Sequence, residues 1–304
     1  MTLYNDCYPC ILRQTLEAAR NSGMDTGQEK ELIHGVMRKL LDAENSTTSP
    51  EIAQQIHRYI REFTGVPNPY AGEKYEHNRQ AMELLPELRA EILNSEQPML
   101  TAARYAIAGN VIDFGASSNG QIDIHGEIES ALKDPLGIDQ FEMLQAELCG
   151  AEKVIYLGDN SGEIVFDRLL IETLLDSYDV DITYVVRGEP VLNDVTMADA
   201  RQVGLDQIVR VIDNGTDAPG TVLSQIPEDI RTEIESADVI IAKGQGNFES
   251  LVHVPLNIFF LFKVKCSVIA GKIGAPLHSY VIANQAHLTA QVEKHEHISQ
   301  EFRS

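Results

Sequence analysis

The run GDNSGE, Gly158 to Glu163, sets two carboxylates, an amide and a hydroxyl within six positions, directly after the apolar stretch KVIYL. Asp159 and Asn160 supply a carboxylate and an amide oxygen, the hard donors that Mg²⁺ or Mn²⁺ takes. Asp194, in RGEPVLND, can add a second carboxylate. So few protein ligands leave coordination positions for water and a substrate. Ser161, Gly162 and Glu163 open the next helix, where free backbone N–H groups and the positive dipole end favour an anion. A cation beside a helix N-terminus suits a phosphate. The plainer alternative is a strand-to-helix turn in which Asp159 or Ser161 caps the helix and Asp194 caps another after a proline-containing loop.

Two lysines are candidates for meeting phosphoryl oxygens: Lys243, which precedes Gly244 and Gly246 in KGQGNFE, and Lys265, in FKVKC. A lone G-x-G serves a plain turn equally well. Cys7 and Cys10 form a single C-x-x-C, half of a zinc site unless Cys149 or Cys266 joins it by folding. No strand precedes it, as a thioredoxin-like redox pair requires, and the absence of any special role is equally open. The chain has no G-x-G-x-x-G after a strand, no G-x-x-x-x-G-K-[ST], no G-x-S-x-G and no H-E-x-x-H. Its nine histidines read as scattered surface residues where they cluster late in the sequence.

These residues need elements to carry them. Up to about Ser95 the apolar residues recur at helical spacing, with Ser49-Pro50 expected to start one helix, Gly65 to stop it and Gly23 to stop an earlier one. The stretch from Asn68 to Glu96 reads as one helix bent or broken near Pro86. From Val154 onward, short β-branched runs alternate with helical patterns. That rhythm predicts an α/β fold, a Rossmann-like, mostly parallel sheet with helices on both faces. NIFFLF and CSVIAGKIG read as further strands. The expected division is an all-helical lobe over residues 1–95 and an α/β catalytic domain over 96–304. In such a sheet ligands bind beyond the carboxyl ends of the strands, where GDNSGE, RGEPVLND, DNGTDAPG and KGQGNFE all fall.

The 304 residues carry 46 acids against 24 Lys and Arg, a formal net charge of −22 that disfavours nucleic acid and anionic membranes. No apolar run approaches the roughly 20 residues of a membrane span, and no basic start precedes an apolar stretch. With four scattered cysteines, the expectation is a cytoplasmic protein with reduced thiols.

Taken in order, CYPC, AGNVIDFG, GDNSGEIVFD, RGEPVLNDVTMADA, KGQGNFE and the Lys265-Cys266 pair resemble the metal-dependent damage-control phosphatases, known as domain of unknown function 89, and within them the subfamily marked by C-x-x-C, GNFE-like and Lys-Cys motifs. The match runs nearly end to end. The resemblance implies one divalent cation, Mn²⁺, Co²⁺, Ni²⁺ or Mg²⁺, held by Asp159, Asn160 and Asp194, and hydrolysis of small phosphate esters, among them sugar phosphates and damaged metabolites. It assigns Lys265 to the substrate phosphate, with Asn110 and Asp113 lining the same cleft and Lys243, Gly246, Asn247 and Glu249 contacting substrate. Either Asp194 or Glu249 would be the general base. Two readings compete: an S-adenosylmethionine-dependent carboxyl methyltransferase, for which YLGDNSGE would be the first strand and loop, and a metal or metabolite binder without catalysis.

Overall fold

The computed structural model describes residues 1, 3–44, 47–109 and 124–301. Helices α1 (Cys7–Asn21), α2 (Thr26–Leu41) and α3 (Ser49–Thr64) close on a core of their own, in which Ile11, Leu32, Val36, Ile52, Ile56 and Ile60 are buried together. The N-cap of α3 is Thr48 rather than Ser49. Its hydroxyl accepts the Glu51 N–H while the Glu51 carboxylate accepts the Thr48 N–H, a reciprocal box that satisfies two otherwise orphaned donors.

α4 (Ala71–Asn94) leads from this lobe to the sheet and runs through Pro86 as one helix. Ala81 and Leu85 before the proline and Leu88 and Ile92 after it bury in the same core, which offsets the roughly 3 kcal/mol an internal proline costs. These four residues pack α4 with the sheet rather than into the core of α1 to α3.

After α5 (Pro98–Gly109) and α6 (Ile124–Lys133) come the two-residue β1 (Ile138–Asp139) and α7 (Phe141–Leu148). The α/β alternation follows: β2 (Lys153–Leu157), α8 (Glu163–Ser177), β3 (Asp181–Val186), α9 (Met197–Gln202), β4 (Arg210–Asp213), α10 (Glu228–Glu235), β5 (Val239–Lys243), α11 (Gly244–Leu251) and β6 (Ile258–Lys263). CSVIAGKIG is a helix, α12 (Ser267–Ile273), not a strand. Ile269 and Ile273, four apart, are its buried face, and Gly274 ends it in the left-handed conformation. The last strand is instead β7 (Tyr280–Asn284), followed by α13 (Gln285–Glu301).

Among the described residues the sheet has seven strands in the order β1-β7-β6-β5-β2-β3-β4. β2 to β6 run parallel; β7 is antiparallel to β6, and β1 pairs with β7. Strand side chains alternate between two cores. Val154 and Tyr156 bury with α4, α5 and α8, while Ile155 and Leu157 bury with α11, α12 and α13. The chain leaves β2 toward β3 but enters β5 on the other side of β2. The carboxyl ends of β2 and β5 thus flank the crevice where connections diverge, the usual ligand position in an open α/β sheet.

Candidate metal centre

Beyond Leu157 the chain crosses to the loop after β3. The Val195 N–H donates to Asp159 O (2.8 Å), the Ser161 N–H to Asn193 O (2.8 Å), and Asn160 and Asp194 form an antiparallel bridge. Residues 34 positions apart are in this way held on two hydrogen-bonded backbone segments. The Asp159 and Asp194 side chains are buried. Asp194 Oδ2 accepts from Arg187 Nε (2.8 Å), and its carboxylate takes the Gly220 N–H. Asn160 Nδ2 donates both to Asp159 Oδ2 (2.6 Å) and to Glu163 Oε2 (3.2 Å). Two carboxylates on one side settle the amide's orientation, so Oδ1 is turned away from them. From β5, Gly244 closes in at φ 75°, and a Cβ there would lie 1.9 Å from Asp159 Oδ2.

Four carboxylates are buried in this crevice, those of Asp159, Glu163, Asp167 and Asp194, with Lys243 and Arg187 as buried cations beside them. Burial, then repulsion from Glu163 and Asp194, raises the Asp159 pKa, with Lys265 and Arg187 pulling the other way. Among the described residues no three His, Cys, Asp or Glu side chains form a metal-holding group. The donors on offer are two carboxylates and an amide, an all-oxygen set that fits a hard divalent ion.

A family model described as "Damage-control phosphatase ARMT1-like domain" matches residues 3–281. The chain belongs to the damage-control phosphatase family. It is 37% identical to an uncharacterized protein of Methanocaldococcus jannaschii, over 91% of this chain and 93% of that one. It is 32% identical to a damage-control phosphatase of Archaeoglobus fulgidus, over 88% of this chain and 94% of the relative. The crystal structure of a protein of the domain of unknown function 89 family from Pyrococcus horikoshii superposes with a TM-score of 0.86 at 29% identity, covering 94% of this chain and 99% of that one.

Within this damage-control phosphatase fold the expected substrate residues lie at the ends of β2, β5 and β6 in differing surroundings. Lys265 is exposed just past β6, its backbone N–H on Gln245 Oε1 (3.3 Å), and its charge acts on Asp159. Ser161 is buried, with a hydroxyl that has no hydrogen-bond partner among the described residues. Two N–H groups at the start of α8 are already engaged, that of Ser161 by Asn193 O and that of Gly162 by Asn78 Oδ1 (2.7 Å) reaching in from α4, which leaves less of an anion site than the sequence implies.

KGQGNFE forms the end of β5 and α11, with Lys243 and Asn247 buried and Gln245 and Glu249 half-buried. Lys243 is fully buried with its ammonium on Glu163 and Asp167. Asn247 is fully buried, donating to Lys243 O (2.7 Å) and accepting from Thr221 Oγ1 (2.7 Å). Gly246 lies against the backbone of Gly220. Glu249 accepts from Gln245 Nε2 (2.9 Å) and bonds the Ser49 side chain. The same hub gathers the motif cysteines on its edges: Cys7 Sγ is 3.7 Å from Ser49 Oγ, and Cys266 Sγ is 3.6 Å from Gln245 Nε2. Cys10 accepts from Arg13 (3.9 Å), and burial raises the Cys7 thiol pKa. Asn110 and Asp113 lie outside the described residues.

Several residues of the site escape sequence reasoning. Arg187, which grips Asp194, is the first residue of RGEPVLND and reads as a loop cation. Glu163, expected only as part of the helix start, and Asp167, which drew no reading, are both completely buried. The signal was present for these two: acids at i and i+4 inside EIVFDRLL, an otherwise apolar stretch, mark a helix face that is inward and charged.

Proposed function

We propose that the protein is a metal-dependent phosphatase hydrolysing small phosphate esters, sugar phosphates or damaged phosphometabolites among them, in the cytoplasm. The observation that carries this reading is the bonding of the two loop segments that brings Asp159, Asn160 and Asp194 together on neighbouring backbone in a buried, acid-rich crevice. The named relatives support the reaction class. No helix of the described residues is long and apolar enough to cross a membrane.

In this reading Asp159, Asn160 and Asp194 hold one divalent ion, Mn²⁺, Co²⁺, Ni²⁺ or Mg²⁺. Such an ion, when bound, supplies Lewis acidity at a phosphoryl oxygen and lowers the pKa of a water. The chain's own groups do the rest. Arg187 and the Gly220 N–H orient Asp194. Lys265, with a long side chain exposed at the rim, offers its ammonium to the equatorial phosphate oxygens. The unpartnered Ser161 hydroxyl is free to donate to the ester or to water. The first strand and loop hold acids rather than the repeated glycines that a methyl-donor site wants, so hydrolysis is the reading retained.

Inorganic phosphate released from a panel of sugar phosphates, with each metal and with EDTA, tests this. Release that EDTA abolishes is expected. Asp159→Asn at saturating Mn²⁺ should lose at least the roughly 100-fold that upsets around metal ligands typically cost. Wild-type turnover by that variant, or no release from any ester with any of the metals, rules the reading out.

A further inference from the structure

Lys243 closes β5 with no part of its side chain exposed. An ammonium has three donors, and here each has an acceptor: Glu163 Oε1 at 2.6 Å, Asp167 Oδ1 at 2.7 Å and Ala106 O at 2.7 Å. Asp167 is anchored again from below, where the Tyr156 hydroxyl donates to Oδ1 (2.7 Å) and the Tyr184 hydroxyl to Oδ2 (2.9 Å). Glu163 faces both ways. Its Oε1 is on Lys243, and its Oε2 accepts from Asn160 Nδ2, the same nitrogen that reaches Asp159 Oδ2. An unbroken path of polar contacts therefore joins Lys243 to two of the three candidate ligands.

Burying three charges incurs desolvation that apolar side chains of the same volume would avoid, so stability is a poor reason for the cluster. Its position offers a better one. An Asn side chain is nearly symmetric in shape about its amide, and either end can face a cation site unless neighbours decide. The carboxylate at 163 is held from both ends, Oε1 by the Lys243 ammonium and Oε2 by Asn160 Nδ2, so Lys243 fixes the acceptor that the amide nitrogen faces. We propose that Lys243 is a positioning residue for the cation site, anchoring Glu163 so that Asn160 turns its Oδ1 toward the ion. The inference rests on the metal reading above.

The test is Mn²⁺ binding to the full chain, followed by the paramagnetic resonance signal of the free ion, with thermal unfolding of each protein alongside. Three variants are compared with wild type: Lys243→Met; Lys243→Met with Asp167→Asn, in which a cation and an anion leave together; and Glu163→Gln, which keeps the shape but allows a donor to face Asn160. Each variant that folds is expected to bind Mn²⁺ about 10- to 100-fold more weakly. At saturating Mn²⁺, kcat should fall while the KM for the ester stays within about twofold, a split that general destabilisation does not produce. The Glu163→Gln protein decides the matter if neither lysine variant folds. Wild-type Mn²⁺ affinity in any folded variant overturns the role of Lys243 and leaves a structural ion cluster. A wild-type protein that binds no divalent ion overturns the metal reading itself, and this role with it.

Discussion

Gly244 shows how much one missing side chain decides. It stands at φ 75° with its Cα against the Asp159 carboxylate, so alanine there meets two penalties: a left-handed backbone, about 1–2 kcal/mol for a residue with a Cβ, and a methyl 1.9 Å from Asp159 Oδ2. The carboxylate has to move, and with it a candidate ligand. Gly244→Ala is expected to lower the unfolding temperature by several degrees and to weaken Mn²⁺ binding in the same preparation. Gly271, inside α12 with open space where a Cβ would stand, is the matched control, and alanine there should stabilise by about 0.5–1 kcal/mol without touching the ion. Equal Mn²⁺ affinity in the two variants would remove Gly244 from the site.

Among the elements, α3 does the most to join the helical lobe to the loops beyond the sheet. Gln54 Nε2 (2.8 Å), Arg58 and Arg61 all reach Asp217, in the loop after β4, while Arg61 Nη1 donates to Pro190 O (2.8 Å) in the loop that carries Asp194. His57 lies buried on the same helix. Burial first, and the Arg61 charge second, lower its pKa to about 4, with Asp217 opposing. The unfolded chain takes up this proton near pH 6.5, but the native protein refuses it until about pH 4. Stability from this group is therefore intact above pH 6.5 and is lost progressively as the pH falls to about 4, some 3 kcal/mol in all. Urea midpoints measured from pH 7 to pH 4 should fall less steeply for His57→Asn than for wild type. Parallel profiles would mean that the imidazole takes its proton without unfolding.

For the molecule as a whole, Asp217 is where the two parts meet through charge. Asp217→Ala removes the acceptor for two arginines and an amide. Because Arg58 is about half exposed, solvent screening discounts its share, and the expected loss is about 1–3 kcal/mol in a urea titration. The same loop delivers the Gly220 N–H to Asp194, so the variant should also bind Mn²⁺ more weakly. An unchanged urea midpoint would assign the junction to the packing of α4 and its buried Lys74–Asp199 pair (2.7 Å).

Much of this was legible in the chain's order of residues. Strand and helix periods and the Gly65 stop depend on neighbours within about four positions, and GDNSGE advertises hard ligands by composition alone. Family motifs pointed to Asp159, Asn160 and Asp194 as candidate ligands. The parts that needed the fold are those whose partners are distant. Lys243 reads as a candidate for phosphoryl oxygens after a strand, and only the fold shows its contacts 76, 80 and 137 positions away; Glu249, likewise, has Ser49 beside it only in the folded chain. Whether a charged side chain meets solvent or a buried counter-charge is a question of desolvation and Coulomb attraction between segments that no local pattern encodes. Only the tertiary structure brings those segments together.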